Sequence, residues 1–123
     1  MKLKLMIFVS ALLFIITACG TDSTYDEVES EKGQALVEDE ETIVIDVRTP
    51  EEYESGHIPQ SELLPLKDLP DALDSLDSDA SYLLVCRSGN RSAEAAEMFV
   101  DAGIEDVTHL AYGVGSWEGE WTE

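Results

Sequence analysis

Two short apolar runs, each stopping at a polar or reactive side chain, dominate the hydrophobic pattern of this chain. Thr42-Ile43-Val44-Ile45-Asp46-Val47 is almost continuously β-branched, as in a strand buried on both faces of a parallel sheet. Residues 81–85 form the second run, which stops at Cys86. Around these runs the apolar spacing turns helical. A helix is expected from Ser30 through Gln34-Ala35-Leu36-Val37 to the acidic run Glu38-Asp39-Glu40-Glu41, with Gly33 weakening it. Thr49 can cap a short helix with Pro50 at its first position, ended by Ser55-Gly56. A short strand falls within residues 57–66, between prolines. Leucines at 66, 69, 73 and 76 predict an amphipathic helix over residues 67–76, closed by a turn at Asp77-Ser78-Asp79. Residues 93–102 predict a helix with Ala93, Ala96 and Val100 or Phe99 on one face and Gly103 at its stop. Short strands are expected within residues 104–110 and, at an edge, at Glu27-Val28-Glu29. Strands alternate with helices, so the fold class is α/β: a single domain whose mostly parallel central sheet carries helices on both faces.

The first residues follow another rule. Lys2 and Lys4 precede a twelve-residue stretch, 5–16, that is apolar except for Ser10. It is too short for a bilayer span, which needs about 20 apolar residues, and suits a secretory signal. The stretch ends Ile16-Thr17-Ala18-Cys19-Gly20, which resembles the lipobox of bacterial lipoproteins, with Ile16 where Leu is usual. That resemblance implies a signal peptide over residues 1–18, acyl chains on Cys19, a polar tether over 19–26 and a folded domain over 27–123. The expected location is the extracytoplasmic face of the cell membrane, held by the lipid anchor only. With Cys19 lipidated, Cys86 is the one free thiol of the chain's two cysteines, and no internal disulfide can form.

Charge narrows the partners. The whole chain carries a formal charge of −20; with Lys2 and Lys4 set aside, 27 acidic residues face five basic ones, a balance of −22. Nucleic acid and anionic lipid surfaces are therefore excluded as electrostatic partners. Against that background Arg87 and Arg91, within five residues of Cys86, form a local positive site for a small anion.

Cys86 sits where a strand gives way to a loop and then a helix. Parallel sheets place ligand sites at the C-terminal ends of their strands, and Asp46 and Cys86 both fall there. A loop curling into a helix can turn backbone N–H groups inward, with Gly89 supplying a positive φ. That field, with Arg87 and Arg91, lowers a thiol's pKa and readies it as a nucleophile.

Four separated motifs resemble those of the rhodanese-homology sulfurtransferases. Ile45-Asp46-Val47-Arg48 is similar to the family's Asp-x-Arg signature, and residues 52–59 to its Glu-Tyr-x-x-Gly-His-Ile-Pro segment. Cys86-Arg87-Ser88-Gly89-Asn90-Arg91-Ser92 resembles its active-site loop, and residues 113–117 its closing Gly-x-x-x-Trp. The chain departs at Gln60-Ser61, where the family usually has Gly-Ala, and at Tyr112, where a second glycine is common. The resemblance implies a rhodanese-like fold and a sulfane sulfur passed from a small anionic donor such as thiosulfate, polysulfide or persulfide, through a Cys86 persulfide, to a thiol or cyanide-like acceptor. It implies no cofactor or metal, and a monomer. The N–H groups of residues 87–92 would stabilise thiolate and persulfide, Arg87 or Arg91 would attract the donor, and Asp46, Arg48 and His57 would support the loop. Related phosphatases and arsenate reductases have a cradle one residue longer than the six of Cys86 to Arg91, so sulfur chemistry ranks above oxyanion chemistry. A non-turnover persulfide carrier or docking module is the alternative.

Other pairings follow from spacing alone. Arg48 and Glu52, four apart, are expected to form an ion pair, and Arg91 to meet Glu94 or Glu97. His57 reads as a buried structural histidine, His109 as structural or surface, and Trp117 as packing the C-terminal turn.

Overall fold

The computed structural model describes residues 24–123. The expected signal peptide, Cys19 and most of the tether lie outside the described residues. Five strands form one sheet in the order β1-β5-β4-β2-β3: β1 (Asp26–Val28), β2 (Thr42–Asp46), β3 (Glu62–Leu63), β4 (Ser81–Val85) and β5 (Asp106–Leu110). Every pairing is parallel. The two apolar runs become the central neighbours β2 and β4, where both faces need burial. The edge strand β1 begins at Asp26, one residue inside the expected tether.

Helices cover both faces. On one, α4 (Asn90–Asp101), with Phe99, packs with α3 (Leu69–Ala72) over Ile45, Leu84 and Val107. On the other, α1 (Ser30–Glu38) and Trp117 pack over Val44, Ile58, Leu83 and Leu110. Gly33, which weakened the α1 expectation, is buried; a Cβ there would lie 2.9 Å from a Leu110 methyl and 3.1 Å from Trp117. A small residue is what lets α1 seat on the sheet. Trp117 fills that interface, as expected of a packing residue.

Two helix expectations need correcting. Residues 66–76 do not form one helix: a 3₁₀ turn (Leu66–Asp68), α3 and a second 3₁₀ turn (Leu73–Ser75) follow one another. Pro70 has no N–H to continue the ladder, yet Leu66, Leu69, Leu73 and Leu76 still face the core. The leucine period reports burial there, not helix continuity. In α4 the buried face is Ser92, Ala95, Ala96 and Phe99, rotated from the expected set that included Ala93.

The short α2 (Pro50–Glu54) starts as its sequence predicts. The Thr49 hydroxyl accepts from the Glu52 N–H at 3.3 Å, and the Glu52 carboxylate accepts from the Thr49 N–H at 3.0 Å, a closed capping box. After it, Gln60 adopts φ +71, at the position where a glycine is usual, and the turn is held by the Ser61 hydroxyl on the Ile58 carbonyl at 2.6 Å. The substitution leaves the turn intact at the cost of a left-handed conformation for Gln60.

Candidate active site

Strand register sets the site. Asp46 lies opposite Val85 in the β2–β4 ladder, so the polar end of β2 and Cys86 emerge side by side. Asp46 is fully buried and Arg48 is 5 % exposed. The Asp46 carboxylate accepts from the Arg48 backbone N–H at 3.0 Å and from its guanidinium at 2.8 to 3.0 Å. Arg48 also donates to the Gly56 carbonyl at 2.7 Å, and Trp121 lays its ring against the guanidinium at 5.7 Å. A buried charge pair is tolerated only when its buried polar atoms are met, and among the described residues no buried side-chain polar atom lacks a partner. Asp46 thus holds a neighbouring arginine. The expected Arg48–Glu52 pair does not form, because the guanidinium turns inward to Asp46.

Glu52 instead takes Arg91. Two bonds, 2.7 and 2.9 Å, tie the Arg91 guanidinium to the Glu52 carboxylate, so neither Glu94 nor Glu97 holds it. Arg91's hydrogen bond lowers the Glu52 carboxyl to about 2, with burial opposing and the Thr49 bonds assisting; the same bond raises the Arg91 guanidinium. The cation of the cradle is therefore anchored to α2. Arg87 is exposed and makes no ion pair among the described residues.

Cys86 is fully buried beneath this loop, while Arg87, Ser88 and Asn90 at its crest are exposed. The Gly89 N–H donates to Sγ at 3.1 Å. Burial alone pushes the thiol up. The Ser92 hydroxyl and the N–H groups of Ser92, Ser88 and Gly89 outweigh it, and the net shift is down. Gly89 has φ +97, and a Cβ there would fall 1.9 Å from the Ala111 carbonyl oxygen, so the cradle admits no side chain at that point. Gly113, at φ +66, is equally confined, with Arg87 backbone atoms 2.3 Å from a built Cβ. Beyond it, Val114 N–H donates to the Cys86 carbonyl at 2.8 Å and Gly115 N–H to the Arg87 carbonyl at 3.0 Å. The glycine-tryptophan motif is the clamp that holds the cradle from outside. Tyr112, in place of a second glycine, points outward and is 61 % exposed.

His57 stands apart from the sulfur site as a support. It is half-buried rather than buried, stacks on Tyr53 at 3.7 Å, shares Nδ1 with the Tyr53 carbonyl at 2.8 Å and bridges through its backbone to Thr122. Spacing gave no sign of three other participants. His109 is 1 % exposed and touches both Ser92, at 3.0 Å, and Glu27, at 2.8 Å; Trp121 covers Arg48. The available signal was a histidine inside a short strand, between Thr108 and Leu110.

The architecture has counterparts among known proteins. The family profile described as Rhodanese-like domain matches residues 29–120. A protein named thiosulfate sulfurtransferase GlpE from Pseudoalteromonas translucida is 33 % identical over 88 residues, 72 % of this chain and 84 % of the relative. A protein named sulfurtransferase from Allochromatium vinosum is 32 % identical over 93 residues, 75 % of this chain and 87 % of the relative. A crystal structure of a rhodanese-related protein from Thermoplasma volcanium superposes with a TM-score of 0.72 at 27 % identity, over 80 % of this chain and 98 % of that one.

Proposed function

The chain belongs to the rhodanese-like family and is a sulfurtransferase of that kind; from this premise we propose that it carries sulfane sulfur on Cys86 between a small anionic donor and a thiophilic acceptor. The observation that carries the reading is the cradle: a buried sulfur under inward N–H groups, with its thiol shifted down. The thiolate attacks the outer sulfur of a donor such as thiosulfate. A sulfur–sulfur bond forms at Sγ as the donor's own sulfur–sulfur bond breaks, and the electron pair leaves with sulfite. A thiolate or cyanide then attacks the outer sulfur of the persulfide and returns the thiolate. Cys86 has no accessible surface, so the loop around it must shift to admit the donor. Arg87, exposed and without an ion-pair partner among the described residues, is the cation that meets it; Arg91, held by Glu52, supports the loop. Ser88, Gly89, Asn90 and Ser92 complete the cradle.

Steady-state thiocyanate formation from thiosulfate and cyanide tests turnover. The account expects activity that disappears in Cys86→Ser. A full-length protein that takes up sulfur but neither makes thiocyanate with cyanide nor passes the sulfur to any thiol acceptor would reverse the choice between enzyme and carrier.

We also propose the extracytoplasmic face of the cell membrane as the location, through acyl chains on Cys19. The support is the basic start, the twelve-residue apolar stretch and the small residues before Cys19. Cys19→Ala is expected to move the protein from the membrane fraction to the soluble fraction. Unchanged membrane retention contradicts the anchor.

A further inference from the structure

Cys86 is the inner end of a hydrogen-bonded chain that reaches water at the sheet edge. Sγ lies 3.5 Å from Ser92 Oγ, which lies 3.0 Å from His109 Nδ1; His109 Nε2 lies 2.8 Å from Glu27 Oε2. Four elements supply these groups: the cradle, α4, β5 and β1. Glu27 and His109 are direct partners in the β1–β5 ladder, so the register itself places the carboxylate against the ring. Cys86 and Ser92 are fully buried and His109 nearly so, whereas the Glu27 side chain is 64 % exposed.

The chemistry of each group sets the direction of each bond. An ionised carboxylate only accepts, so His109 Nε2 carries its hydrogen toward Glu27. In the neutral ring Nδ1 is then an acceptor, and it takes the Ser92 hydroxyl. The Ser92 oxygen is left to accept from the Cys86 thiol. The Gly89 carbonyl, 3.2 Å from Ser92 Oγ, is the hydroxyl's more distant acceptor. We propose that His109 is the proton acceptor for the Cys86 thiol, acting through the Ser92 hydroxyl and held by Glu27, so that the nucleophile stands as a thiolate–imidazolium pair. The inference rests on Cys86 being the nucleophile. The thiol proton passes to Ser92 Oγ as the Ser92 proton passes to Nδ1, and no electrons are gained or lost. Afterwards the thiolate accepts from the Ser92 hydroxyl and the Gly89 N–H, and the imidazolium donates to Ser92 and Glu27. No polar atom loses its partner in either state, so the transfer leaves no buried group unpaired. The charged groups facing the pair are Arg91 on α4, with Asp46 behind it at the end of β2, and Glu27 on β1. Tyr25 sets its ring edge-on to His109 at 5.5 Å.

The test is the pH dependence of Cys86 alkylation by iodoacetamide, in full-length Cys19→Ala protein in detergent, where Cys86 is the sole thiol. His109→Gln is expected to move the midpoint alkaline by about one unit and to slow alkylation at neutral pH roughly tenfold, with the limiting rate at high pH unchanged. Glu27→Gln, a change at an exposed side chain that leaves the core untouched, is expected to shift the midpoint the same way by less. In a Ser92→Ala background, adding His109→Gln is expected to have no further effect, because the link is already cut. A purely structural His109 would change the melting temperature and leave the midpoint in place. Profiles of His109→Gln and Glu27→Gln that superimpose on the parent overturn the proposal. Alkylation needs no sulfur donor, so this outcome is readable whether or not a persulfide forms.

Discussion

At Glu52 one carboxylate serves two elements: it closes the α2 capping box and grips Arg91 of α4. Its folded-state carboxyl, at about 2, lies below the ordinary value, about 4.3 in an unfolded chain. A depressed acid contributes stability that is fully present above its unfolded pKa and is lost as pH falls through the folded one. Both partners are about one-third exposed, so solvent screening keeps the contribution modest. The expected outcome is that urea midpoints of the parent fall more steeply than those of Glu52→Gln between about pH 4.5 and pH 2, and that the two run parallel above that window. Parallel curves throughout contradict the anchoring role. Neither this pair nor the Glu27–His109 contact could be read from spacing, because their partners stand 39 and 82 residues apart. Local spacing pointed instead to Arg48–Glu52, and lost to the buried carboxylate of Asp46.

Among the elements, the cradle depends on a loop that never touches the sulfur. Residues 113–115 clip onto the Cys86 and Arg87 carbonyls, and Gly113 lies so close to Arg87 that a methyl group has nowhere to go. Gly113→Ala is expected to destabilise the protein by about 1–3 kcal/mol through backbone strain. It is also expected to lower Cys86 alkylation at neutral pH, as measured by urea unfolding and thiol labelling on the same sample. Wild-type labelling in a destabilised variant would detach the loop from cradle geometry. The strands β2 and β4 and the cap of α2 were legible because a β-branched run in β2, a short apolar run in β4 and a Thr-Pro start have local physical causes. The leucine-spaced segment was misread because its period survives the break that Pro70 imposes. The C-terminal residues that cover Arg48 and pair with His57 were not legible, since nothing in their own pattern names a partner.

Over the whole molecule, a formal charge of −20 repels the anionic donors of the proposed reaction. Two of the five basic residues after Lys4 stand in the loop, where Arg91 is tied by Glu52 and Arg87 is exposed. The four family motifs converge on one end of one parallel sheet, the Asp46–Arg48 pair beneath, the clip outside and the thiol between them. Everything proposed for this site therefore rests on a covalent sulfur at Cys86. The most direct measurement is the intact mass of the full-length protein after incubation with thiosulfate and removal of excess donor. The expected result is a gain of one sulfur atom that is lost on adding cyanide and is absent in Cys86→Ser. No gain with thiosulfate, polysulfide or a low-molecular-weight persulfide, or the same gain in Cys86→Ser, contradicts it.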